Sequence, residues 1–308
     1  MSEKRVVTVG VDGSESALAA VDWAVEYVRD RGVCLRLLHG LEVPVPVPAY
    51  TPYPLPDPRG AIENEARRDL AAALDRVRLA APDVDVTASV VALPPIRALL
   101  DGARHSERLV VGCRGLNPVA TVLLGSVSAA VAAHAACPVV VVRGHQRSGG
   151  TAPVVVGVAG TDHEDATLAA AFEEAAVRHA PLVAVHAWSD VTLEATARTM
   201  AGVWASFDTL RTEARNRLES TLSGWADKYP GVSIDSQIVR DGPAPALLTL
   251  STMAQLIVVG SHGRGGFAGM RLGSVSRRLV HQADCPVLVV RRACRSGGEE
   301  EPGAPETS

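Results

Sequence analysis

A chain of 308 residues has room for two domains of about 150 residues each, and a hydrophobic content of 47% is enough to fill a core in both. Aromatic residues are scarce at 4%, so valine, alanine and leucine must do the filling. Thirty lysines and arginines against 34 acidic residues leave a net charge of −4, which gives no reason to expect nucleic acid or an anionic membrane as a partner. No apolar run reaches the ~18 residues of a membrane span, and the first residues lead directly into a strand pattern, so a cytoplasmic protein is expected. Cys34, Cys113, Cys137, Cys285 and Cys294 form no Cys-x2-Cys pair, which fits free thiols in a reducing compartment. Cys137 and Cys285 each precede a proline and a valine-rich strand and read as packing. Cys113 lies in a glycine loop, where a small filler and a redox thiol compete.

In chain order, residues 6–11 form a buried strand, followed by Asp12-Gly13-Ser14 and an amphipathic helix over 16–29. A second strand over 33–38 ends at His39-Gly40, and both His39 and its counterpart His186 read as structural. Residues 42–60 carry prolines at 44, 46, 48, 52, 54, 56 and 58, so that stretch is extended, as a stiff connector or a recognition arm with Tyr50 and Tyr53. A helix over 61–79 has a solvated charged face that includes Asp69. Then come a strand over 84–91, a helix over 96–105, a strand at 109–112 and a strand over 138–143. Residues 145–151 are the linker. The second half repeats the order with strands over 154–158, 182–187, 232–239, 256–260 and 286–291, helical stretches around 168–178 and 193–227, and an acidic, disordered tail over 294–308. The domains are expected at 1–145 and 152–293.

One motif occurs twice at an offset of 148 residues. The first copy is an apolar run over 109–111, then Gly112, Gly115, and Gly125-Ser126-Val127-Ser128; the second is a run over 256–259, then Gly260, Gly263, and Gly273-Ser274-Val275-Ser276. Unalternating branched residues suit a strand buried on both faces. The glycine permits a sharp turn or a close ligand. The closing Gly-Ser opens an apolar-periodic helix, with Ser126 and Ser274 expected as its caps, and such a helix start attracts anions. Ordinary strand-to-helix turns would explain one copy; two copies in register favour a polyphosphate site.

Gly-x2-Gly-x9-Gly-Ser after a hydrophobic strand resembles the ATP-binding signature of the universal stress protein family, and the resemblance covers nearly the whole chain as two tandem units. It implies an α/β fold of two doubly wound, Rossmann-like (adenine nucleotide alpha hydrolase-like) five-stranded parallel-sheet domains. It implies ATP with Mg²⁺ as ligand, an Asp12 contact to the adenosine part, and fifth strands that pair across a two-fold axis, as a homodimer or as an intrachain pseudo-dimer. The ligand contacts it implies are Gly10, Asp12, Gly112, Arg114, Gly115, Gly125, Ser126, Val127 and Ser128 in the first half. In the second they are Gly157, Gly260, His262, Gly263, Arg264, Gly273, Ser274, Val275 and Ser276. No metal-ligating or catalytic set is assigned.

The halves are unequal. The second has Ala159 where the first has Asp12, with Asp162 nearby as a substitute. The first has Leu116, Asn117 and Pro118 where the second has Arg264, Gly265 and Gly266, and Pro118 removes a donor. Other nucleotide motifs fare worse. A Walker loop needs a lysine that is absent. A dinucleotide fingerprint, Gly263 to Ala268 with Asp284 downstream, occurs in the second half only. The expected function is nucleotide-dependent stress or growth regulation. A slow ATP hydrolase or adenylyl-transfer enzyme competes with it, although the hydroxyls near the motif have no base in the sequence pattern. So does a ligand-free, dimerising partner-binding protein.

Overall fold

The structure, a computed structural model, describes residues 5–29, 31–42, 59–113, 125–144, 151–161, 164–188, 207–263 and 272–291. The first half runs β1 (Val6–Gly10), α1 (Glu15–Val28), β2 (Cys34–Gly40), α2 (Arg59–Ala80), β3 (Val86–Val91), α3 (Pro95–Ala103), β4 (Arg108–Gly112), α4 (Ser126–His134) and β5 (Val139–Val142). The second runs β6 (Val154–Gly157), α5 (Asp165–Val177), β7 (Leu182–Trp188), α6 (Phe207–Lys228), β8 (Ile234–Arg240), α7 (Pro243–Ser251), β9 (Leu256–Gly260), α8 (Ser274–Gln282) and β10 (Val287–Val290). The acidic tail, most of the proline-rich stretch and the first part of the long helical stretch expected over 193–227 lie outside the described residues.

The two five-stranded sheets join into one ten-stranded sheet in the order β3-β2-β1-β4-β5-β10-β9-β6-β7-β8. Pairing within each half is parallel, as the βαβ alternation requires. The one antiparallel pair is β5 with β10, where Val140 faces Leu288. The fifth strands thus pair within the chain, as the resemblance implied. Strands β4, β5, β9 and β10 lie at the centre with helices on both sides, which is why they read as unbroken Val/Leu/Ile runs. The edge strands β3 and β8 are half exposed and carry Thr87, Ser89, Asp235 and Gln237.

There are two cores, divided by sheet face and not by half. One lies under α1, α2, α5 and α6 and includes Trp23, Leu37, Val140, Phe172 and Leu288. The other lies under α3, α4, α7 and α8 and includes Leu99, Val111, Val141, Leu247 and Val287. Each crosses the β5–β10 seam, so the seam is as dry as either interior. Each buried valine there contributes about 1.5–3 kcal/mol.

Local chemistry sets the element ends. Ser14 caps α1, its hydroxyl accepting from the Ala17 amide at 3.2 Å, so the helix starts one residue before the expected position. Pro95 and Pro243 open α3 and α7, where the absent N–H is no loss. His39 and Gly40, expected to end the second strand, lie inside β2; a Cβ on Gly40 would collide with Pro95 at 2.5 Å, and this contact seats α3 on the strand. Helix α5 closes with a left-handed His179 (φ 51°), and the Ala180 amide donates to Ala175 O.

The seam carries a reciprocal pair. Arg143, just after β5, donates to Val280 O near the end of α8. Arg291, just after β10, donates to Ala133 O and Ala135 O at the end of α4. Each arginine crosses the pseudo-two-fold and satisfies the last carbonyls of the other half's helix.

Candidate functional site

In each half the chain leaves the end of the fourth strand and is next described back at that same end, where the following helix begins. The return is closed by a backbone bond, Gly125 N–H to Cys113 O at 2.9 Å in the first half and Gly273 N–H to Ser261 O at 2.7 Å in the second. A second tie holds the following helix down. The buried hydroxyl of Ser128 donates to Gly112 O, and that of Ser276 to Gly260 O, both at 2.6 Å. The start of α4 is thereby fixed against the end of β4, and the start of α8 against the end of β9.

This corrects part of the sequence reading. Ser126 and Ser274 are the first helical residues, not caps; the caps are Gly125 and Gly273, with extended backbone and no side chain to offer. The first-turn N–H groups of both helices consequently have no side-chain partner, the condition for attracting an anion. Ser128 and Ser276 have their hydroxyls committed to the strand ends. Val127 and Val275 turn their side chains onto the core, so only their backbone could meet a ligand. Gly10 and Gly157 have a packing reason to be glycine: an added Cβ would press on Leu99 at 3.1 Å and on Leu247 at 2.9 Å. Arg114, Gly115, Arg264 and Asp162 lie outside the described residues.

Around the β4 end, the first half assembles a tight rim. A Cβ on Gly112 would collide with the backbone carbonyl of Ser16, so α1 starts directly against this edge. Asp12 accepts from the Ser14 amide at 3.1 Å and the Ser14 hydroxyl at 2.6 Å through one carboxylate oxygen. It therefore braces the cap of α1. Gly13 follows with φ 77°, in van der Waals conflict with any side chain because the Asp69 carboxylate would lie 2.6 Å from its Cβ. Asp69 in turn lies 3.6 Å from His39 Nε2. Asp69 is thus part of the rim and not merely a solvated charge. Its position on α2 gave no local signal, because only the crossing of α2 over β2 brings it there.

The second half keeps the plan and loosens it. Gly160 (φ 71°) repeats the Gly13 turn, and Ala159 lies beside Gly263 without a carboxylate. The cap of α5, Glu164, makes no side-chain capping bond, and a Cβ on Gly260 would find His262 O at 3.2 Å and Thr167 Oγ1 at 3.3 Å. His262 lies at the loop entrance with Nδ1 3.0 Å from the Ser261 hydroxyl, so one hydroxyl at the motif does have a base beside it. Ser261 is nevertheless buried to 2% exposure. Because β5 and β10 are antiparallel, the strand ends of the two halves point in opposite directions, and the two rims lie on opposite edges of the sheet. Asp284, the acid of the dinucleotide alternative, precedes β10 and donates its amide to the Ser251 hydroxyl, which places it at the wrong end of its strand for a ribose contact. Among the described residues no three His, Cys, Asp or Glu side chains form a metal cage. Burial pushes the Cys137 thiol up to about 12, consistent with packing.

Comparison with known proteins gives one answer. A model described as the universal stress protein family matches residues 4–143 and again 151–291. Universal stress protein Rv2005c of Mycobacterium tuberculosis is 36% identical over 294 residues, covering 93% of this chain and 97% of that protein. Universal stress protein Rv1996 of the same organism is 37% identical over 302 residues, covering 92% and 94%. A crystal structure of a universal stress protein from Archaeoglobus fulgidus, 19% identical, superposes with a TM-score of 0.64 over 93% of this chain and 98% of its own. No helix among the described residues is long and apolar enough to cross a membrane.

Proposed function

Starting from the fact that the chain belongs to the universal stress protein family, we propose that it is a nucleotide-dependent stress or growth regulator that holds an adenine nucleotide, ATP with Mg²⁺, at each rim. One observation carries this reading: the duplicated closure that fixes a helix start without a side-chain cap against the end of a buried strand. The free N–H groups there suit phosphate oxygens. Magnesium would arrive on those phosphates, with Asp69 the acid that the first rim offers it. The first rim supplies a carboxylate for the adenosine side, and the second supplies His262 for the phosphate side.

The Ser261–His262 pair favours a second reading, transfer of the γ-phosphoryl group of ATP onto the Ser261 oxygen, with ADP leaving and His262 taking the hydroxyl proton. The burial of Ser261 stands against it. Calorimetry with ATP, ADP and AMP, followed by intact-mass measurement after incubation with Mg-ATP, decides between them. Binding without a mass increase and without turnover supports the regulator. No heat and no stabilisation with any adenine nucleotide refutes it, and a phosphate adduct abolished by Ser261→Ala moves the protein to the enzyme class.

A further inference from the structure

The α1 and α5 helices meet across the seam around one fully buried acid. Glu174 on α5 accepts from Arg108 Nη1 at 2.6 Å and from Arg178 Nε at 3.0 Å, with Arg31 Nη2 at 3.8 Å. Two of those arginines, Arg31 and Arg108, belong to the first half. Both also lie over the Tyr27 ring, at 3.9 and 4.3 Å. Arg178 lies over Trp23 at 5.4 Å. Two further acids lie nearby, Glu107, engaged by Arg5 and by the Tyr27 hydroxyl, and Glu173, whose charge acts on Arg5 and Arg108.

The internal repeat shows what is unusual here. Leu35 opposite Val7 matches Leu182 opposite Val154, and that register carries Tyr27 onto Glu174 and Arg31 onto Arg178. Arg108 opposite Val7 matches Leu256 opposite Val154. The seam is therefore symmetric in backbone and complementary in charge. The first half brings guanidinium groups without an acid at position 27, and Arg31 Nε and Nη2 have no hydrogen-bond partner even in the assembled chain. The second half brings the acid and has leucine where Arg108 would be.

We propose that this seam is a heterotypic recognition surface, on which a first half accepts only a partner carrying a buried carboxylate at the Glu174 position. A pair of first halves would bury Arg31 and Arg108 twice over with no acid at the axis. A pair of second halves would set two Glu174 carboxylates against each other with only the two Arg178 side chains to share. The first–first arrangement leaves charge uncompensated in a dry interface, where removing one partner of an ion pair is far costlier than replacing the whole pair by apolar groups; the second–second arrangement balances two acids with two arginines but crowds the carboxylates. The second half is the cognate partner, within the same chain or in a second copy.

The test uses the full chain carrying a protease site within 145–150, folded, cut, dissociated in urea and re-associated by dilution. Native mass spectrometry then counts first–second, first–first and second–second pairs. The expected result is an excess of mixed pairs of about tenfold or more over first–first pairs. Arg108→Leu combined with Glu174→Tyr gives both seam faces the same residues at these two positions, and first–first pairs should then form within about twofold of the mixed pair. Indiscriminate pairing of the parent halves, failure of the halves to re-pair, or undiminished selectivity in the double variant overturns the proposal.

Discussion

The two halves follow one plan and diverge most at the turn after their first strand. In the first, Glu15 begins the helix five residues after Gly10, and an Asp12–Ser14 brace holds that start against Gly112. In the second, Asp165 begins the helix eight residues after Gly157, so it starts nearly a turn later, and Ala159 leaves nothing to brace. The first rim is bounded by a helix start that is capped and braced; the second is bounded by a start without a side-chain cap, with His262 at the loop entrance. Duplicated sites can thus keep their backbone frame while dividing the side chains between them.

The most damaging substitution is expected at the seam and not at either rim. Glu174→Gln should destabilise the chain by about 3–5 kcal/mol, because three arginines lose their buried counter-charge. Tyr27→Phe, at the matching place in the first half, removes only a hydroxyl bonded at 3.3 Å and should cost about 1 kcal/mol. Urea denaturation of both variants measures the ratio, and equal losses would erase the contrast.

The same site predicts an acid limb. Burial works to raise the Glu174 carboxyl, but Arg108, Arg178 and Arg31 outweigh it and hold it below its ordinary 4.5. A folded-state pKa below the unfolded one means that the stabilisation is fully present above about pH 4.5 and is lost as pH falls from there through the folded value. Thermal melts from pH 7 to pH 3 should show this loss in the parent. In Glu174→Gln the corresponding part of the slope should be missing.

At the rims, Gly112→Ala should cost about 1–3 kcal/mol, since the new methyl meets the Ser16 backbone, whereas Gly260→Ala should cost about 1 kcal/mol or less. Chemical denaturation checks the order, and its reversal would mean that the second rim is the tighter. Asp12→Ala removes two bonds from the Ser14 cap and should cost about 1 kcal/mol of stability and weaken nucleotide binding in the first half alone. A two-site titration of Asp12→Ala and Ala159→Asp checks whether the carboxylate matters to the ligand as well as to the cap. The smallest effect belongs to the helix ends. His179→Gly should stabilise by about 0.5–1 kcal/mol, because a left-handed backbone position is restored to the residue type that Gly32 supplies in the first half. A thermal melt resolves it.

The α/β alternation, the parallel strands and the glycine frame were legible because each depends on local pattern. The runs at 109–111 and 256–259 have no alternation because helices cover both faces of β4 and β9. What was illegible depends on chain crossings. Asp69 looks solvated along α2 until α2 is laid over β2 beside Gly13. Arg108 stands at the edge of an apolar run and gives no sign that its guanidinium enters the seam. Glu174 lies among alanines on a helix whose period shows only that its face is buried. The Gly-Ser pair misled for a different reason. Serine is a good cap, but glycine with extended backbone takes that position here and shifts the serines inward, where Ser128 and Ser276 reach the strand ends.

The crossed arginines have a consequence for inheritance. Arg143 completes a helix in the other repeat, and Arg291 returns the favour, so neither copy contains all the groups that its own last carbonyls need. A repeat duplicated in this way ceases to be an independent lineage within the gene. A change at residue 291 is a change to the first copy, and the two must drift as one unit even where their ligand rims have parted.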